Sequence, residues 1–180
     1  NAFLSIDRED HLEKRIENVE YYTRLSMLEL ETSTLEVTDA NGLNRFKCGF
    51  FVDIIDPRES FASKERFTIG ELSNLWPEEY FERNIIDERT AVVLLTHDPK
   101  IDDQGIHAAL NSNAFYIGCL GSKRTHSKRL DRLKDAGFND KQLKRIHGPI
   151  GLDISAKSPA EISVSIMAQI IQIQNKLEAL

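Results

Sequence analysis

The stretch FYIGCLGSKRTHSKRLDRL, Phe115 to Leu133, decides how this chain reads. It begins as an apolar run, turns at Gly118 and Gly121, and continues as a strongly basic segment with Lys123, Arg124, His126, Lys128, Arg129 and Arg132. A strand, a glycine turn and a helix in that order form half of a βαβ unit. The helix start is unusual. Helix N-termini carry partial positive charge and favour acidic side chains, yet here cations accumulate. A Gly-Ser turn opening a helix exposes unpaired N–H groups that suit an anion, and a bound phosphate or pyrophosphate would relieve the conflict. Ser122, Lys123, Arg124 and Thr125 are therefore read as anion contacts. Arg129 and Arg132, further along, are expected to face solvent.

Working outward, the same alternation recurs. GFFVDIID (49–56) is an apolar strand ending in Asp56-Pro57-Arg58. TAVVLLT (90–96) has the continuous apolar character of a strand buried on both faces and ends in His97-Asp98-Pro99. RIHGPIGLDI (145–154) holds a short fourth strand. Helices are expected over about 101–112, over 122–136 with Gly137 as terminator, over 139–145, and from an N-cap at Ser158 with Pro159 at the first position and Glu161 completing the start. The last helix carries an apolar face through Ile162, Ile166, Ile170 and Ile173. Strands alternating with helices specify an α/β fold, a Rossmann-like parallel sheet flanked by helices. Residues 1–45 read as a small N-terminal α+β part: DREDHLEKRIENVEYYTRLSMLELE (7–31) is partly helical in pattern, and STLEVTD (33–39) alternates like a strand. The Rossmann-like domain then covers 46–180.

Bulk properties narrow the function. The chain has 180 residues and a formal charge of −6, which argues against general nucleic-acid binding and makes the basic segment a local exception. Cys48 and Cys119 have no metal or redox spacing and read as reduced thiols. No apolar run is long enough to span a membrane, and no signal-peptide pattern opens the chain. A cytoplasmic protein without membrane partners is the expectation.

In open α/β sheets ligands sit beyond the carboxyl ends of the strands. Four polar clusters fall there: Asp56 and Arg58; Thr96, His97 and Asp98; Gly121 through Arg124; and Gly148 through Asp153. Asp56 has two readings, a carboxylate for ribose hydroxyls or a turn-forming Asp-Pro. His97 is the candidate general acid or base, since it should face the crevice. Asp98, Asp102, Asp103 and His107 include metal-ligand types, but their spacing matches no established metal site, so no metal is assigned; an acidic helix start and a surface histidine describe them. HGPIG (147–151) makes a tight loop in which Gly148 and Gly151 let ligand or backbone approach closely. Asp153 is either a cap or a ligand contact.

Four segments taken together resemble one family. GFFVDIIDPRESFASKERF (49–67), AVVLLTHDPKIDDQGIHAAL (91–110), AFYIGCLGSKRTHSKRLDRLKDAGF (114–138) and LKRIHGPIGLDISAKSPAEISVSIMAQII (143–171) are similar to the C-terminal domain of XdhC/CoxI proteins, accessory factors of xanthine dehydrogenase and related molybdenum hydroxylases. The resemblance implies a Rossmann domain that binds molybdenum cofactor, a molybdopterin sometimes linked to a nucleotide, protects it during sulfuration and delivers it to the apo-enzyme. It implies a xanthine dehydrogenase-type partner, a sulfurtransferase and a homodimer. The matching positions are Asp56, Pro57, Arg58, Thr96, His97, Asp98, Gly118, Gly121, Ser122, Lys123, Arg124, Thr125, Arg129, Gly148, Pro149, Gly151, Leu152 and Asp153. The resemblance assigns none of them a catalytic role, and binding with delivery needs no turnover. The competing readings are an NAD(P)-dependent oxidoreductase with His97 as proton donor and a non-catalytic nucleotide-binding module.

One departure stands out. The family pattern places a strand and a Gly-Ala-Gly-His-type turn before GFFVDIIDPR, whereas this sequence passes directly from TDANG (38–42) to LNRFKCGFF (43–51). Deleting that unit would take a strand out of the sheet and open an apolar gap. The unit is therefore expected to belong to the protein but to lie outside these 180 residues. A true deletion would remove the usual basis for nucleotide binding.

Overall fold

The computed structural model describes residues 3–8 (backbone only), 50–67, 71–96 and 98–179, with backbone alone also for Phe51 and Glu178. Their elements follow in the order β1 (Phe3–Arg8), β2 (Phe50–Ile55), β3 (Glu71–Ser73), α1 (Pro77–Arg83), β4 (Ala91–Leu94), α2 (Pro99–Leu110), β5 (Tyr116–Cys119), α3 (Lys123–Asp135), α4 (Asp140–Leu143), β6 (Ile146–His147) and α5 (Pro159–Glu178). The expected strands at 49–56, 90–96, 114–121 and 145–154 and the expected helices are all present, with ends shifted by a few residues. The partly helical pattern expected over 7–31 meets the end of β1 at Asp7 and Arg8, and the rest of it, with the strand expected at 33–39, lies outside the described residues.

The strands form a six-stranded sheet in the order β3-β2-β1-β4-β5-β6, the doubly wound order of Rossmann domains. β2, β3, β4, β5 and β6 share one direction. β1 runs against both neighbours, pairing Phe3 with Ile55 and Arg8 with Phe50 on one side and Leu4 with Val93 on the other. The sheet position that a first βα unit takes in this order is thus filled, but by a reversed strand. Its carboxyl end at Arg8 lies at the amino end of β2, the edge opposite the crevice.

The pleat of β4 explains its unbroken apolar run. Val92 and Leu94 face a core shared with Ile106, Ala109 and Leu110 of α2 and Leu133 of α3. Ala91 and Val93 face the other side, against Ile166 and Ile170 of α5. Both faces are dry, so alternation is absent. On β5, Tyr116 and Gly118 are directed at the α5 side, and a Cβ on Gly118 would strike Ile150 and Tyr116. α5 starts where the sequence indicates. Ser158 Oγ accepts from the Glu161 amide, and the Glu161 carboxylate accepts from the amides of Ser158 and Lys157. Ile166→Ala, at a fully buried position, should lower the unfolding free energy by about 2–5 kcal/mol in a denaturant titration. Ile85→Ser, on a side chain 92% exposed, should change it by less than about 0.5 kcal/mol.

Candidate functional site

The site is built at the carboxyl ends of β2, β4, β5 and β6, where each strand passes into a polar loop. Backbone bonds tie the ends together: the Leu120 amide donates to the Leu94 carbonyl at 2.9 Å, and the Ile150 amide donates to the Cys119 carbonyl at 3.1 Å. The β4, β5 and β6 ends are thereby fixed relative to one another before any side chain contributes.

At the end of β2, Asp56 is fully buried, and Arg58 wraps back onto it. Arg58 Nε donates to Oδ1 at 2.8 Å, its Nη2 to Oδ2 at 2.6 Å, and its amide to Oδ1 at 3.0 Å. Both carboxylate oxygens are engaged, so the Asp-Pro turn is the geometry observed. The hydrogen bond to Asp56 holds the Arg58 guanidinium above its ordinary pKa, with Asp98 and Asp102 adding to the effect from the β4 loop. Two of the expected clusters therefore meet electrostatically. Arg58 also lies 4.0 Å over the Phe61 ring.

At the end of β4, Thr96 is buried, and its hydroxyl donates to Asp102 Oδ1 at 2.7 Å while its amide reaches the same oxygen at 3.3 Å. Asp98 caps α2 by accepting from the Lys100 amide at 3.0 Å. His97 lies outside the described residues. Asp102 does not form a solvated acidic helix start: it is 3% exposed, and its Oδ2 lies 3.8 Å from Arg129 Nη2. His107 is not a free surface histidine; it is half-buried against Phe138, with ring centroids 4.9 Å apart. Among the described residues, no group of three or more His, Cys, Asp or Glu side chains could hold a metal ion.

At the end of β5, Gly121 adopts φ +138°, where a side chain would be strained. Ser122 then caps α3, its Oγ accepting from the Thr125 amide at 3.1 Å. The first turn of α3 contains no acidic residue, and Lys123 and Arg124 are exposed. The expectation for Arg129 fails. Far from facing solvent, it is 3% exposed, and its Nη2 donates to the Leu120 carbonyl at 3.0 Å. Among the described residues, its Nε and Nη1 have no hydrogen-bond partner. Arg132 is partly exposed and pairs with Asp103 through two 2.9 Å bonds.

After β6, the glycines admit the protein's own side chains. A Cβ on Gly148 would collide with the His126 ring, and one on Gly151, at φ +93°, with Ser165 Oγ. The Gly151 amide donates to Gln169 Oε1 at 2.9 Å, the oxygen that also accepts from the Tyr116 hydroxyl at 2.6 Å. Asp153 is exposed.

The structure thus gathers a buried polar hub of Thr96, Asp102 and Arg129 beneath a basic helix start, with Arg58 and Asp56 on one flank and His126 against Gly148 on the other. Sequence reasoning missed Asp102 and His126 as members, and it placed Arg129 in solvent although the family resemblance includes that position. A helical count held the signal, because Arg129 lies four residues before the buried Leu133 and seven after Ser122, on the inward face of α3.

The sequence profile of the XdhC Rossmann domain matches residues 45–170. The chain belongs to the XdhC family. An XdhC-type relative in Escherichia coli, the molybdenum cofactor insertion chaperone PaoD, is 34% identical over 89 residues, covering 49% of this chain and 28% of that protein. A Bacillus subtilis protein described as a probable xanthine dehydrogenase subunit is 31% identical over 130 residues, covering 72% of this chain and 37% of that protein. A solved structure described as a xanthine dehydrogenase from Bacillus halodurans superposes with a TM-score of 0.58 at 29% identity, over 69% of this chain and 35% of that one. The chain spans roughly a third of the length of these XdhC relatives. Among the described residues, no helix is long and apolar enough to cross a membrane.

The residues at this edge suit an anion. Among the described residues the buried Arg129 Nε and Nη1 lack hydrogen-bond partners, the neighbouring helix start is basic, and the Gly121 turn leaves the amides of Lys123 and Arg124 at the opening of α3. The histidines at this edge add a pH dependence to the XdhC fold. Burial, and then Arg129, lowers the His126 pKa below its ordinary 6.5, and burial lowers that of His147. A base with a lowered folded pKa gives full stability above about pH 6.5 and loses it as pH falls from there through the folded value. The thermal midpoint should therefore fall between about pH 7.5 and 5.5, and His126→Gln combined with His147→Gln should flatten that fall.

Proposed function

We propose that this chain is the cofactor-binding part of an accessory protein for xanthine dehydrogenase-type molybdenum hydroxylases. It holds molybdenum cofactor as cargo, shields it for sulfuration and passes it to the apo-enzyme, with a sulfurtransferase as the class of partner that supplies sulfur. The observation that carries this reading is the start of α3, a helix N-terminus with exposed Lys123 and Arg124, no acid in its first turn, and a buried arginine two turns behind. That arrangement is costly for an empty site and favourable for one filled by a phosphate. Membership of the XdhC family, and the role stated in the name of PaoD, give the phosphate its carrier.

Each group has a simple task. Ser122 fixes the turn by capping, leaving the amides of Lys123 and Arg124 to meet phosphate oxygens. Lys123 and Arg124 supply exposed positive charge. Thr96 and Arg58 hold the neighbouring loops in place through buried hydrogen bonds. The nicotinamide reading finds no support in this geometry. It needs a glycine turn at the carboxyl end of the central strand, and β1 runs the other way, placing its carboxyl end at the opposite edge.

Mass spectrometry of small molecules released from natively purified protein should find a molybdopterin or its oxidised derivative; a nicotinamide dinucleotide there would overturn the assignment. Co-purification should recover a molybdenum hydroxylase. The double variant Lys123→Ala/Arg124→Ala should keep the fold and weaken binding of phosphate-bearing ligand by about 1.5–3 kcal/mol for each charged hydrogen bond removed. Unchanged affinity by calorimetry would remove the anion site from the account.

A further inference from the structure

Buried arginines in proteins are normally paired on several sides, because five N–H donors and a full charge must be satisfied away from water. Arg129 is not. One nitrogen reaches the Leu120 carbonyl, while among the described residues Nε and Nη1 reach no acceptor. Its carboxylate neighbour is held off at 3.8 Å, beyond hydrogen-bond range. That carboxylate is itself shared, since Asp102 Oδ1 is taken by the hydroxyl and amide of Thr96. The positive charge between the ends of β4 and β5 is therefore only partly neutralised. It lies in a medium where charge is poorly screened: burial first, and then Arg129, lowers the His126 pKa, while burial raises that of Cys119 and Arg129 opposes the rise.

We infer that Arg129 is the buried charge that selects an anionic ligand, a phosphomonoester or pyrophosphate group, in the crevice above it, and that Asp102 sets how much of that charge the ligand feels. This rests on the anion site proposed above and adds a residue and a direction to it. Arg129 acts as a positioning residue: it holds the Leu120 carbonyl, and with it the Gly121–Ser122 turn, while contributing fixed charge from beneath. Lys123 and Arg124 provide the exposed counterpart.

A purely structural role predicts that damage to either member of the pair loosens the turn and weakens binding. A charge-setting role predicts opposite signs. Arg129→Met removes the cation and should weaken binding of inorganic pyrophosphate about tenfold or more. Arg129→Lys keeps a cation and should recover most of that loss. Asp102→Asn keeps an oxygen for Thr96 but removes the neutralising charge, so it should bind pyrophosphate several-fold more tightly at matched salt, despite a lower melting temperature. Calorimetry on the four proteins, alongside Lys123→Ala/Arg124→Ala, decides the matter. Weaker or unchanged binding in Asp102→Asn overturns the inference, as does parental binding in Arg129→Met. If Arg129→Met does not fold, Arg129→Lys and Asp102→Asn carry the test alone. If Arg129→Met and Asp102→Asn behave like the parent while the Lys123/Arg124 variant loses affinity, only the role of Arg129 is lost. If the Lys123/Arg124 variant also binds like the parent, or the parent does not bind pyrophosphate, the anion site itself is lost.

Discussion

The crevice edge of this molecule depends on one incompletely paired ion pair. Asp102 comes from the first turn of α2 and Arg129 from the middle of α3, and between them they hold the ends of β4 and β5 through Thr96 and the Leu120 carbonyl. Two buried charges are expensive to desolvate, and their attraction offsets the cost only with good geometry and further hydrogen bonds. Here the carboxylate is well satisfied and the guanidinium is not. Hydrophobic residues would fill the same space with less conflict, as the neighbouring Leu133 and Ile106 show. Retaining a strained polar pair at the strand ends, where α/β sheets bind ligands, is better explained by binding than by stability. Cys119 lies in the same region, but burial pushes its thiol pKa up to about 12, so it packs as a small apolar group.

The reversed central strand moves the remaining chemistry to one side. In a doubly wound sheet the first strand normally brings its glycine turn to the switch point, where a dinucleotide's pyrophosphate would rest. β1 fills that sheet position and satisfies the ladders of β2 and β4, so the apolar gap expected from the sequence does not arise. It brings no turn to the crevice edge. Among the described residues the proposed anion-binding elements belong to β5 and α3, with the β6 loop braced against them by His126 on Gly148. In the proposed anion site a ligand would be gripped at its phosphate end.

Much of this was legible in the sequence, and the failures share a cause. β4 and β5 showed themselves as short apolar runs between turn signals, and the start of α5 was marked by Ser158, Pro159 and Glu161. The convergence of Asp56, Thr96, Ser122 and Gly148 at one edge followed from the parallel topology. Arg129 and Asp102 were misread because charged residues within a charged run are usually solvated, and only helical phase against Leu133 distinguishes the inward one. The pairing of β1 was hidden because strand direction depends on partners distant in sequence. β3 is too short to show a period, whereas α1 went unread despite Pro77, Glu78 and Glu79 marking its start.

In the proposed cargo role, the two tiers of positive charge bear on how an anion can be bound firmly and still released. Exposed cations such as Lys123 and Arg124 act through water and salt, so each contributes modestly and exchanges readily when another surface offers competing contacts. A buried charge is screened little and costs no side-chain ordering on binding, because Arg129 is already fixed by Leu120 and flanked by Asp102. In the proposed anion site it would therefore confer selectivity without adding a mobile contact that must be broken. Asp102 tempers that charge. Full neutralisation would remove the selectivity, and none would retain the ligand too strongly for transfer. A half-paired arginine beneath a solvent-exposed basic turn lies between those limits, which is the balance that binding for hand-over requires.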